Sequence, residues 1–374
     1  MLKPLFMLNP NVAFLNHGSF GACPRPVFEV YQEWQRRLEY QPVEFLGRRI
    51  DSLLDEARRE LAAYLRADAD DVFFVQNATT GVNIAARSLK LQPGDEILTT
   101  DHEYGACDNT WEFVCAKTGA VYIKRGVPLP LTTPEAFIES FWAGVTPKTR
   151  VIFMSHITSP SALIFPVEEI CRRARAAGIL TLIDGAHAPG YVPLDLTALD
   201  ADYYTGNLHK WLCAPKGSGF LYVRRERQLE IEPLIISWGW HDDGSFVAKN
   251  QKQGTRDPAA YLSVPAAITF QRDHEWDAVR ERCRLMVIEA RQRLAILLHQ
   301  PMIAPESWLG QMFTMPIPPC DAEAVKIRLY DDYGVEVPVV RWKNGEGLRV
   351  SIQGYNTRDD LERLYRALAE IFNR

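Results

Sequence analysis

The chain has 374 residues, a length that suggests one large domain and a smaller one, and 47% of its residues are hydrophobic while 24% are charged. This balance is ordinary for globular proteins and excludes the disordered, collagenous and coiled-coil classes. The formal net charge of −5 gives no net attraction to nucleic acid or to an anionic membrane, so neither is an expected partner.

Cysteine usage and the N-terminal residues bear on the cellular compartment. The seven cysteines are odd in number and contain no C-x-x-C pair, which argues against a disulfide framework and a zinc site. The start of the chain is interrupted by Pro4 and Pro10 and lacks a clean apolar core, so a secretory signal is not expected. No apolar run approaches the roughly 20 residues of a membrane span. We therefore predict a cytoplasmic protein without a bound metal.

The first elements in chain order are two amphipathic helices, at 27–40 and 50–66, with apolar residues on one face at helical spacing. Short apolar runs separated by helix-like stretches follow. This alternation is typical of an α/β protein with a largely parallel sheet. The predicted buried parallel strands are 72–75, 96–100, 121–124, 151–154 and 179–183.

The sequence pattern changes after residue 222. A long helical region is predicted from 259 to 298, followed by a short β-rich segment and a closing helix at 357–372. We therefore predict a large α/β domain at 20–255, with a mainly parallel central sheet flanked by helices, and a smaller α+β domain at 256–374. Residues 1–19 are predicted to pack against the small domain.

Polar residues of complementary chemistry lie next to two of the apolar stretches. Asp184 ends one run and His187 comes three residues later, while Lys210 lies between aromatic residues and a glycine-rich turn. Ligands of open α/β sheets bind at the carboxyl ends of the strands, and partial desolvation there lowers the pKa of a lysine. Pyridoxal 5'-phosphate requires an anion beside its ring nitrogen, a group near its hydroxyl and an amine for its aldehyde. Taken singly, Asp184 could cap a helix and Lys210 could be a solvated charge.

A phosphate cradle is predicted where the strand at 72–75 meets a helix. Ala78, Thr79 and Thr80 begin that helix, and backbone donors and threonine hydroxyls at a helix N-terminus bind phosphate. The alternative is that Asn77 or Thr79 simply caps the helix. The sequence contains neither G-x-x-x-x-G-K nor a G-x-G-x-x-G after a strand, which argues against a nucleotide-dependent oxidoreductase, the main rival enzyme class.

The ordered motifs of this chain resemble a known family. They are FLNHGSFGACP, VQNATTGVN, DHEYGA, DGAHAPG, TGNLHKW, QGTRD and LRVSIQGYNT, and they extend from residue 14 to residue 357. Together they resemble the fold-type I pyridoxal phosphate enzymes of the class V aminotransferase group. The motif sequences are most similar to those of the isopenicillin N epimerase-like branch, which shares NHGSFG and TGNLHKW with related carbon–sulfur lyases.

The resemblance implies roles around the cofactor ring. Lys210 matches the lysine that binds the cofactor covalently, and Asp184 matches the aspartate that keeps the pyridine nitrogen protonated. His187 stands where desulfurase relatives have a glutamine near the ring hydroxyl. Tyr104 matches the aromatic residue that stacks on the ring, with His102 as the alternative if the alignment shifts by two residues.

The resemblance also implies how the cofactor phosphate is held. Thr79 and His209 match phosphate contacts, while Asn207 stands where relatives often have serine. Ala78 is a second departure from the family pattern. Thr255 resembles a threonine that reaches the phosphate of the neighbouring subunit, which implies a homodimer with shared active sites.

Substrate contacts are implied near both ends of the chain. Arg349 resembles the arginine that binds the substrate carboxylate, and a planar guanidinium suits that ligand, although an exposed ion pair is the alternative. Asn16 and His17 lie in a segment that borders the substrate in such enzymes. The implied substrate is a small molecule, an amino acid or an amino-acid-derived carboxylate.

The fold and the cofactor leave the reaction at the α-carbon open. We predict an epimerase-like reaction, with β-elimination at a carbon–sulfur bond or transamination as the alternatives. Cysteine desulfurases need a nucleophilic cysteine shortly before the motif that contains Arg349. Residues 333–347 contain none and Cys320 lies earlier, so persulfide transfer is disfavoured.

An epimerase needs proton transfer at two sides of the α-carbon, and the candidates for a donor opposite Lys210 are Tyr104 and His17. A non-catalytic protein on the same fold is disfavoured, because it would have little reason to keep Lys210, Asp184 and Arg349 together.

Overall fold

The computed structural model describes residues 2–241, 244–342 and 345–373. Its strands are β1 Ala13–Phe14, β2 Val72–Val75, β3 Glu96–Thr100, β4 Val121–Arg125, β5 Thr149–Ser155, β6 Leu180–Gly185, β7 Tyr203–Asn207, β8 Gly219–Val223, β9 Met312–Pro316, β10 Val335–Glu336, β11 Val339–Trp342 and β12 Gly345–Ser351. Its helices are α1 His17–Phe20, α2 Arg25–Tyr40, α3 Pro42–Glu44, α4 Ile50–Leu65, α5 Ala78–Ser88, α6 Gly105–Thr118, α7 Pro134–Trp142, α8 Val167–Ala176, α9 Leu196–Leu199, α10 Phe246–Gln251, α11 Ala259–Leu262, α12 Val264–Asp273, α13 Trp276–Leu298, α14 Ala322–Asp331 and α15 Arg358–Phe372.

Seven strands form the central sheet in the order β2-β8-β7-β6-β5-β3-β4. Strands β3 to β7 pair in parallel, whereas β8 is antiparallel to both of its neighbours. The predicted α/β class with a mainly parallel sheet is therefore confirmed. Because the parallel strands share one direction, their carboxyl ends meet at one edge, where ligands of open α/β sheets bind.

Two predicted strands differ from the expectation of buried, parallel pairing. The strand at 72–75 is buried, but its one partner within the described ranges is β8, which runs antiparallel to it. Strand β4 is the edge of the sheet, and its side chains are exposed or half-buried rather than buried. An edge strand has one neighbour only, so an apolar run on it is covered incompletely.

The central strands are buried on both faces. Successive side chains alternate between two hydrophobic cores: Ile152 belongs to one, and its neighbours Val151 and Phe153 belong to the other. Helices α5 and α6 cover the second core, and α4, α7 and α8 contribute to the first. Burial on both sides explains why these strands appear in the sequence as continuous apolar runs.

The C-terminal part is built on a three-stranded antiparallel sheet of order β11-β12-β9, with α13, α14 and α15 packed nearby. The predicted helical region at 259–298 is divided into α11, α12 and α13, and Glu275 in the left-handed conformation (φ 49°) ends the continuity before α13. Helix α15 begins after Thr357, whose side chain forms a capping box with Asp360.

The N-terminal residues run along the C-terminal part. Strand β1 pairs in parallel with β10, and the Leu2 amide donates to the Gly354 carbonyl at 3.3 Å. The division of the chain at residues 19 and 255 stays a prediction. Lys343 and Asn344, within the cysteine-free stretch 333–347, lie outside the described residues. Across the described ranges, every helix is too short or too polar to span a membrane.

Candidate active site

A cavity of about 230 Å³ opens at the carboxyl ends of β3, β5, β6 and β7. Its described wall consists of Ser19, Phe20, Asn77, Ala78, Thr79, Tyr104, Ser155, Ile157, Ser159, Asp184, Ala186, His187, Asn207, His209 and Lys210. The fold thus brings together eight of the residues that sequence reasoning assigned to the cofactor. The predicted residues that are not on this wall are Thr80, Thr255, Asn16, His17 and Arg349.

Lys210 is buried in contact with His187, which Trp211 holds in turn. The Trp211 indole Nε1 donates to His187 Nδ1 at 3.1 Å, so a neutral His187 carries its proton on Nε2. That Nε2 lies 3.2 Å from Lys210 Nζ, and a hydrogen bond between them requires a neutral amine as the acceptor. Burial, reinforced by the charge of Arg349, lowers the pKa of Lys210 to about 7. Burial also holds the pKa of His187 well below its usual value. The motif TGNLHKW contains Trp211, but sequence reasoning gave it no role.

Asp184 ends β6 with its carboxylate buried. Its Oδ1 accepts a hydrogen bond from the Ala186 amide at 2.9 Å, and the Cys107 thiol donates to Oδ2 at 3.6 Å. Burial raises the pKa of Asp184, while the Ala186 amide and the charge of Lys210 act in the opposite direction. The two donors hold the carboxylate in one orientation at the wall. Cys107 was missed because only the tertiary structure brings α6 to the end of β6.

The N-terminus of α5 is less open to a phosphate than the sequence predicts. The Ala78 amide donates to Asn207 Oδ1 at 2.7 Å, so these two predicted phosphate contacts satisfy each other. The Thr80 amide and hydroxyl both donate to the Asn77 side chain, at 2.9 and 3.2 Å, because Asn77 caps the helix. Thr79 lies on the wall and is the threonine of this helix start that a phosphate can reach.

Two further features shape the phosphate end of the cavity. A Cβ at Gly81 would lie 2.1 Å from Thr205 Oγ1, so glycine is required for α5 to pack this closely against β7. His209 Nδ1 donates to the Ser218 carbonyl at 3.0 Å, and burial lowers the pKa of His209 to about 4. A phosphate dianion beside this ring would favour its protonated form, since a neighbouring anion raises the pKa of a histidine.

Arg349 is held behind the wall by two serines that line it. From β12, Nη1 donates to the Ser159 carbonyl at 2.7 Å and to its hydroxyl at 3.1 Å, and Nη2 donates to Ser19 Oγ at 3.0 Å. These bonds use three of the five guanidinium hydrogens. Nε is buried and has no partner among the described residues. Nε–H and the second Nη2 hydrogen form one side of the planar fork, the geometry that binds a carboxylate in bidentate fashion.

The charge of Arg349 persists at neutral pH. Burial lowers the pKa of its guanidinium to about 10, which is still well above physiological pH. The side chain is buried, so an exposed ion pair, the alternative that the sequence left open, does not describe it. Ser19 and Ser159 carry no signal in the sequence, because they reach Arg349 only through the tertiary fold.

Asn16 and His17 are buried and do not line the described wall, and the substrate contacts implied for them stay a prediction. His17 Nε2 donates to the Lys210 carbonyl at 3.0 Å, and its Nδ1 accepts from the Tyr355 hydroxyl at 3.0 Å. Asn16 Oδ1 accepts from the Ser19 hydroxyl at 2.6 Å. Both side chains therefore support wall residues, because their hydrogen-bonding atoms are already occupied by the protein.

Tyr104, and not His102, is the residue of the DHEYGA motif on the cavity wall. Tyr104 is 48% exposed and lies just before α6. His102 is buried, and its Nδ1 lies 2.7 Å from Ser161 Oγ. Burial lowers the pKa of His102 to about 4. The placement favours Tyr104 as the residue facing a ring in this cavity.

Thr255 is exposed and lies away from this cavity, beside a surface groove that Leu46 and Trp238 also line. Within one chain it is not on the wall that holds Lys210. The contact with a neighbouring subunit implied for Thr255 stays a prediction.

Known proteins are similar to this chain in sequence over nearly its whole length. The sequence profile described as Aminotransferase class-V matches residues 22–364. The chain belongs to this family. It is 37% identical to an isopenicillin N epimerase of Amycolatopsis lactamdurans, over 97% of this chain and 96% of that protein. It is also 30% identical to a putative L-cysteine desulfhydrase of Oryza sativa subsp. japonica, over 96% of this chain and 83% of that protein.

A solved structure shares the fold of this class V chain. It is a mutant of C-DES with glycine covalently linked to its PLP cofactor, and it superposes with a TM-score of 0.84 at 22% identity over 96% of this chain and 97% of that chain. Enzymes of the family depend on pyridoxal phosphate, and this chain is therefore a pyridoxal phosphate-dependent enzyme.

The wall residues fit pyridoxal phosphate. Lys210 supplies a buried amine whose pKa burial lowers to about 7, and Asp184 supplies an oriented carboxylate for the ring nitrogen. The start of α5, with Thr79, offers a site for the phosphate. Behind the wall, the buried Nε of Arg349 has no partner among the described residues, and the predicted ligand for this guanidinium is a substrate carboxylate. These individual roles stay predictions, and each can be tested by mutating the residue concerned.

The lowered pKa of Lys210 predicts how the apo-protein captures its cofactor. Only the neutral amine attacks an aldehyde, so the rate of covalent capture should fall below about pH 7 and level off above it. An ordinary lysine, with a pKa of about 10.4, would show a rate still rising near pH 10. Stopped-flow absorbance of the apo-protein mixed with pyridoxal phosphate across this range measures the rate. A rate that keeps rising above pH 9 would contradict the assignment of a neutral Lys210.

Proposed function

We propose that this enzyme inverts the configuration at the α-carbon of an amino acid or amino-acid-derived carboxylate, as an epimerase of the isopenicillin N type. The observation that carries the proposal is the 37% identity to an isopenicillin N epimerase over nearly the whole of both chains. The site is consistent with it, because the wall holds Lys210 with a pKa of about 7 and Arg349, a residue suited to a carboxylate, lies directly behind the wall against Ser19 and Ser159.

The chain's own residues have distinct tasks in this reaction. Bound pyridoxal phosphate withdraws the electron pair that an α-carbon keeps when its proton leaves. Asp184 keeps a proton on the ring nitrogen, since a carboxylate at that position favours the cationic ring. Arg349 orients the substrate carboxylate through Nε and Nη2. Lys210, whose pKa burial lowers to about 7, accepts the α-proton, and His187 Nε2 lies 3.2 Å from its amine.

The second candidate is elimination at a carbon–sulfur bond, favoured by the 30% identity to the putative L-cysteine desulfhydrase. Transamination is the remaining alternative. Persulfide transfer is disfavoured further, because none of the described wall residues is a cysteine. Cys107, although it reaches Asp184, is buried, and burial raises the pKa of its thiol well above the usual value. A thiol in that state is a poor nucleophile.

An assay of products separates these reactions. The enzyme is incubated with isopenicillin N, L-cysteine and L-cystine, and chiral chromatography is run beside measurements of pyruvate and ammonia. The epimerase proposal predicts an inverted epimer with no pyruvate. Stoichiometric pyruvate with no inverted substrate would establish the lyase instead, and a 2-oxo acid that appears only with an amino acceptor would establish transamination.

The proposal includes a homodimer in which Thr255 of each chain serves the partner's phosphate site. Light scattering should give twice the mass of one chain. Thr255→Val should weaken cofactor binding about ten-fold through loss of one hydrogen bond to a charged group.

Mixed dimers test directly whether Thr255 of one chain acts in the partner's active site. In a dimer of one Thr255→Val chain and one Lys210→Ala chain, the one site that keeps Lys210 should bind the cofactor with wild-type affinity, because the intact Thr255 and the intact Lys210 then meet across the interface. Cofactor binding at that site as weak as in the Thr255→Val parent would show that Thr255 does not act in the partner's site. A monomer that catalyses the reaction would contradict the proposed homodimer with shared active sites.

A further inference from the structure

Inversion at an α-carbon needs a proton to leave on one side and a proton to arrive on the other. Lys210 follows β7, at one side of the cavity, and His187 Nε2 lies beside it at 3.2 Å. A group that delivers a proton to the other side therefore has to approach from a different part of the wall.

Tyr104 is separated from Lys210 along the row of strand ends that forms the cavity. It follows β3, and β5 and β6 lie between β3 and β7 in the sheet. Three strand spacings of about 4.8 Å place the ends of β3 and β7 about 14 Å apart. Asp184 at the end of β6 and Ser155 at the end of β5 lie between them, and all four residues line the same cavity.

The other titratable side chains on the described wall are occupied or on the wrong side. Asp184 accepts from the Ala186 amide and the Cys107 thiol. His187 lies between Trp211 and Lys210, and so on the lysine side. His209 donates to the Ser218 carbonyl at the phosphate end. His17, the second candidate from the sequence, is not on the wall, and protein groups contact both of its ring nitrogens.

The backbone around Tyr104 is fixed by the residues that precede it. Glu103 Oε2 accepts from the Ser155 amide at 2.8 Å and the Ser155 hydroxyl at 2.6 Å, and its Oε1 accepts from Thr100 Oγ1 at 2.6 Å. His102 Nδ1 lies 2.7 Å from Ser161 Oγ. The Tyr104 side chain itself is 48% exposed, so water can restore its proton after each turnover.

We propose that the Tyr104 hydroxyl is the acid that protonates the α-carbon on the side opposite Lys210, an assignment that rests on the proposed epimerase function. The α-carbon–hydrogen bond breaks, and the proton passes to the Lys210 amine. The Tyr104 O–H bond then breaks, its proton forms the new bond to the α-carbon, and its electron pair stays on the phenolate oxygen. Lys210 as ammonium and Tyr104 as phenolate return to their starting states by exchanging one proton each with water.

Tyr104→Phe tests this assignment because it keeps the ring and removes only the hydroxyl. The enzyme is incubated with isopenicillin N in deuterated water, and NMR follows deuterium at the α-carbon of the starting epimer beside formation of the inverted epimer. Inversion should fall by at least about 100-fold, the usual range for loss of a catalytic acid. Deuterium exchange into the starting epimer should stay within about three-fold of the wild type, since Lys210 alone performs it.

Two further measurements distinguish an acid from a structural residue. Fluorescence titration of the apo-protein with pyridoxal phosphate should show unchanged affinity in Tyr104→Phe and weaker affinity in Tyr104→Ala, which loses the ring. Tyr330→Phe is the matched control, because Tyr330 is also 48% exposed but lies on α14. It should change neither inversion nor exchange.

The outcomes separate this inference from the proposed function. If the wild type inverts no substrate, the epimerase function fails, and the acid assignment fails with it. If the wild type inverts its substrate and Tyr104→Phe does so at the same rate, the acid assignment alone is overturned. An equal fall of exchange and inversion in Tyr104→Phe would also overturn it, because that pattern indicates a role in positioning the ring.

Discussion

Lys210→Ala is expected to abolish covalent attachment of pyridoxal phosphate and to lower the rate of α-proton removal by at least about 10,000-fold. The reason is that Lys210 is the one amine among the described wall residues, and its pKa of about 7 makes it both the nucleophile and the base. Mass spectrometry of borohydride-reduced protein measures attachment, and the exchange of the α-proton with deuterated water measures proton removal.

Lys216→Ala is the control for this experiment. Lys216 lies in the same connection between β7 and β8, but its ammonium donates to the Gly21 carbonyl at 2.9 Å and it is not on the cavity wall. The reduced adduct should persist in this variant and map to the peptide that contains Lys210. An adduct that survives Lys210→Ala at another lysine would show that the site has been assigned to the wrong residue.

Asp184→Asn is expected to keep the covalent cofactor and lower turnover by about 100-fold to 1,000-fold. The substitution preserves size and removes the negative charge, so the ring nitrogen loses the anion that favours its protonated form. The two donors that now bond to the carboxylate, the Ala186 amide and the Cys107 thiol, would face a neutral amide. Steady-state rates and the visible absorbance of the bound cofactor measure the two effects.

Asp202→Asn separates this effect from the general cost of changing a buried aspartate. Asp202 is also buried, but it precedes β7, accepts from the Thr181 amide at 2.9 Å and pairs with Arg224 and Arg227. This variant should lower the melting temperature while the cofactor absorbance is unchanged, because it breaks a buried ion-pair network far from the carboxyl ends of the strands. Turnover of Asp184→Asn equal to that of the wild type would exclude the role proposed for Asp184.

The sequence was sufficient to predict the features that depend on local pattern. Strands buried on both faces appear as apolar runs, which is why the strands that hold Met154 and Ile183 were located within two residues of their ends. Asp184 and His187 were found because they lie at the end of a predicted strand, and Lys210 because it lies between aromatic residues and a glycine-rich turn; the parallel sheet brings all three to one edge.

The features that the sequence could not predict depend on contacts between distant segments. Arg349 is held by Ser159 and Ser19, which lie 190 and 330 residues away along the chain. Asn207 satisfies the Ala78 amide across 129 residues, so two positions assigned to phosphate bond to each other. Neither arrangement produces a recognisable spacing or periodicity in the sequence, because both arise only from tertiary packing.

The most direct test of the whole account follows the α-carbon of isopenicillin N during turnover by the wild-type enzyme in deuterated water. We predict that the inverted epimer accumulates with deuterium at the α-carbon and with the rest of the molecule intact, as measured by chiral chromatography coupled to mass spectrometry. An inverted epimer that retains its original proton in full, or release of pyruvate and ammonia from L-cysteine with no inversion of any amino acid, would contradict an epimerase in which Lys210 removes the proton and a second group restores one from solvent.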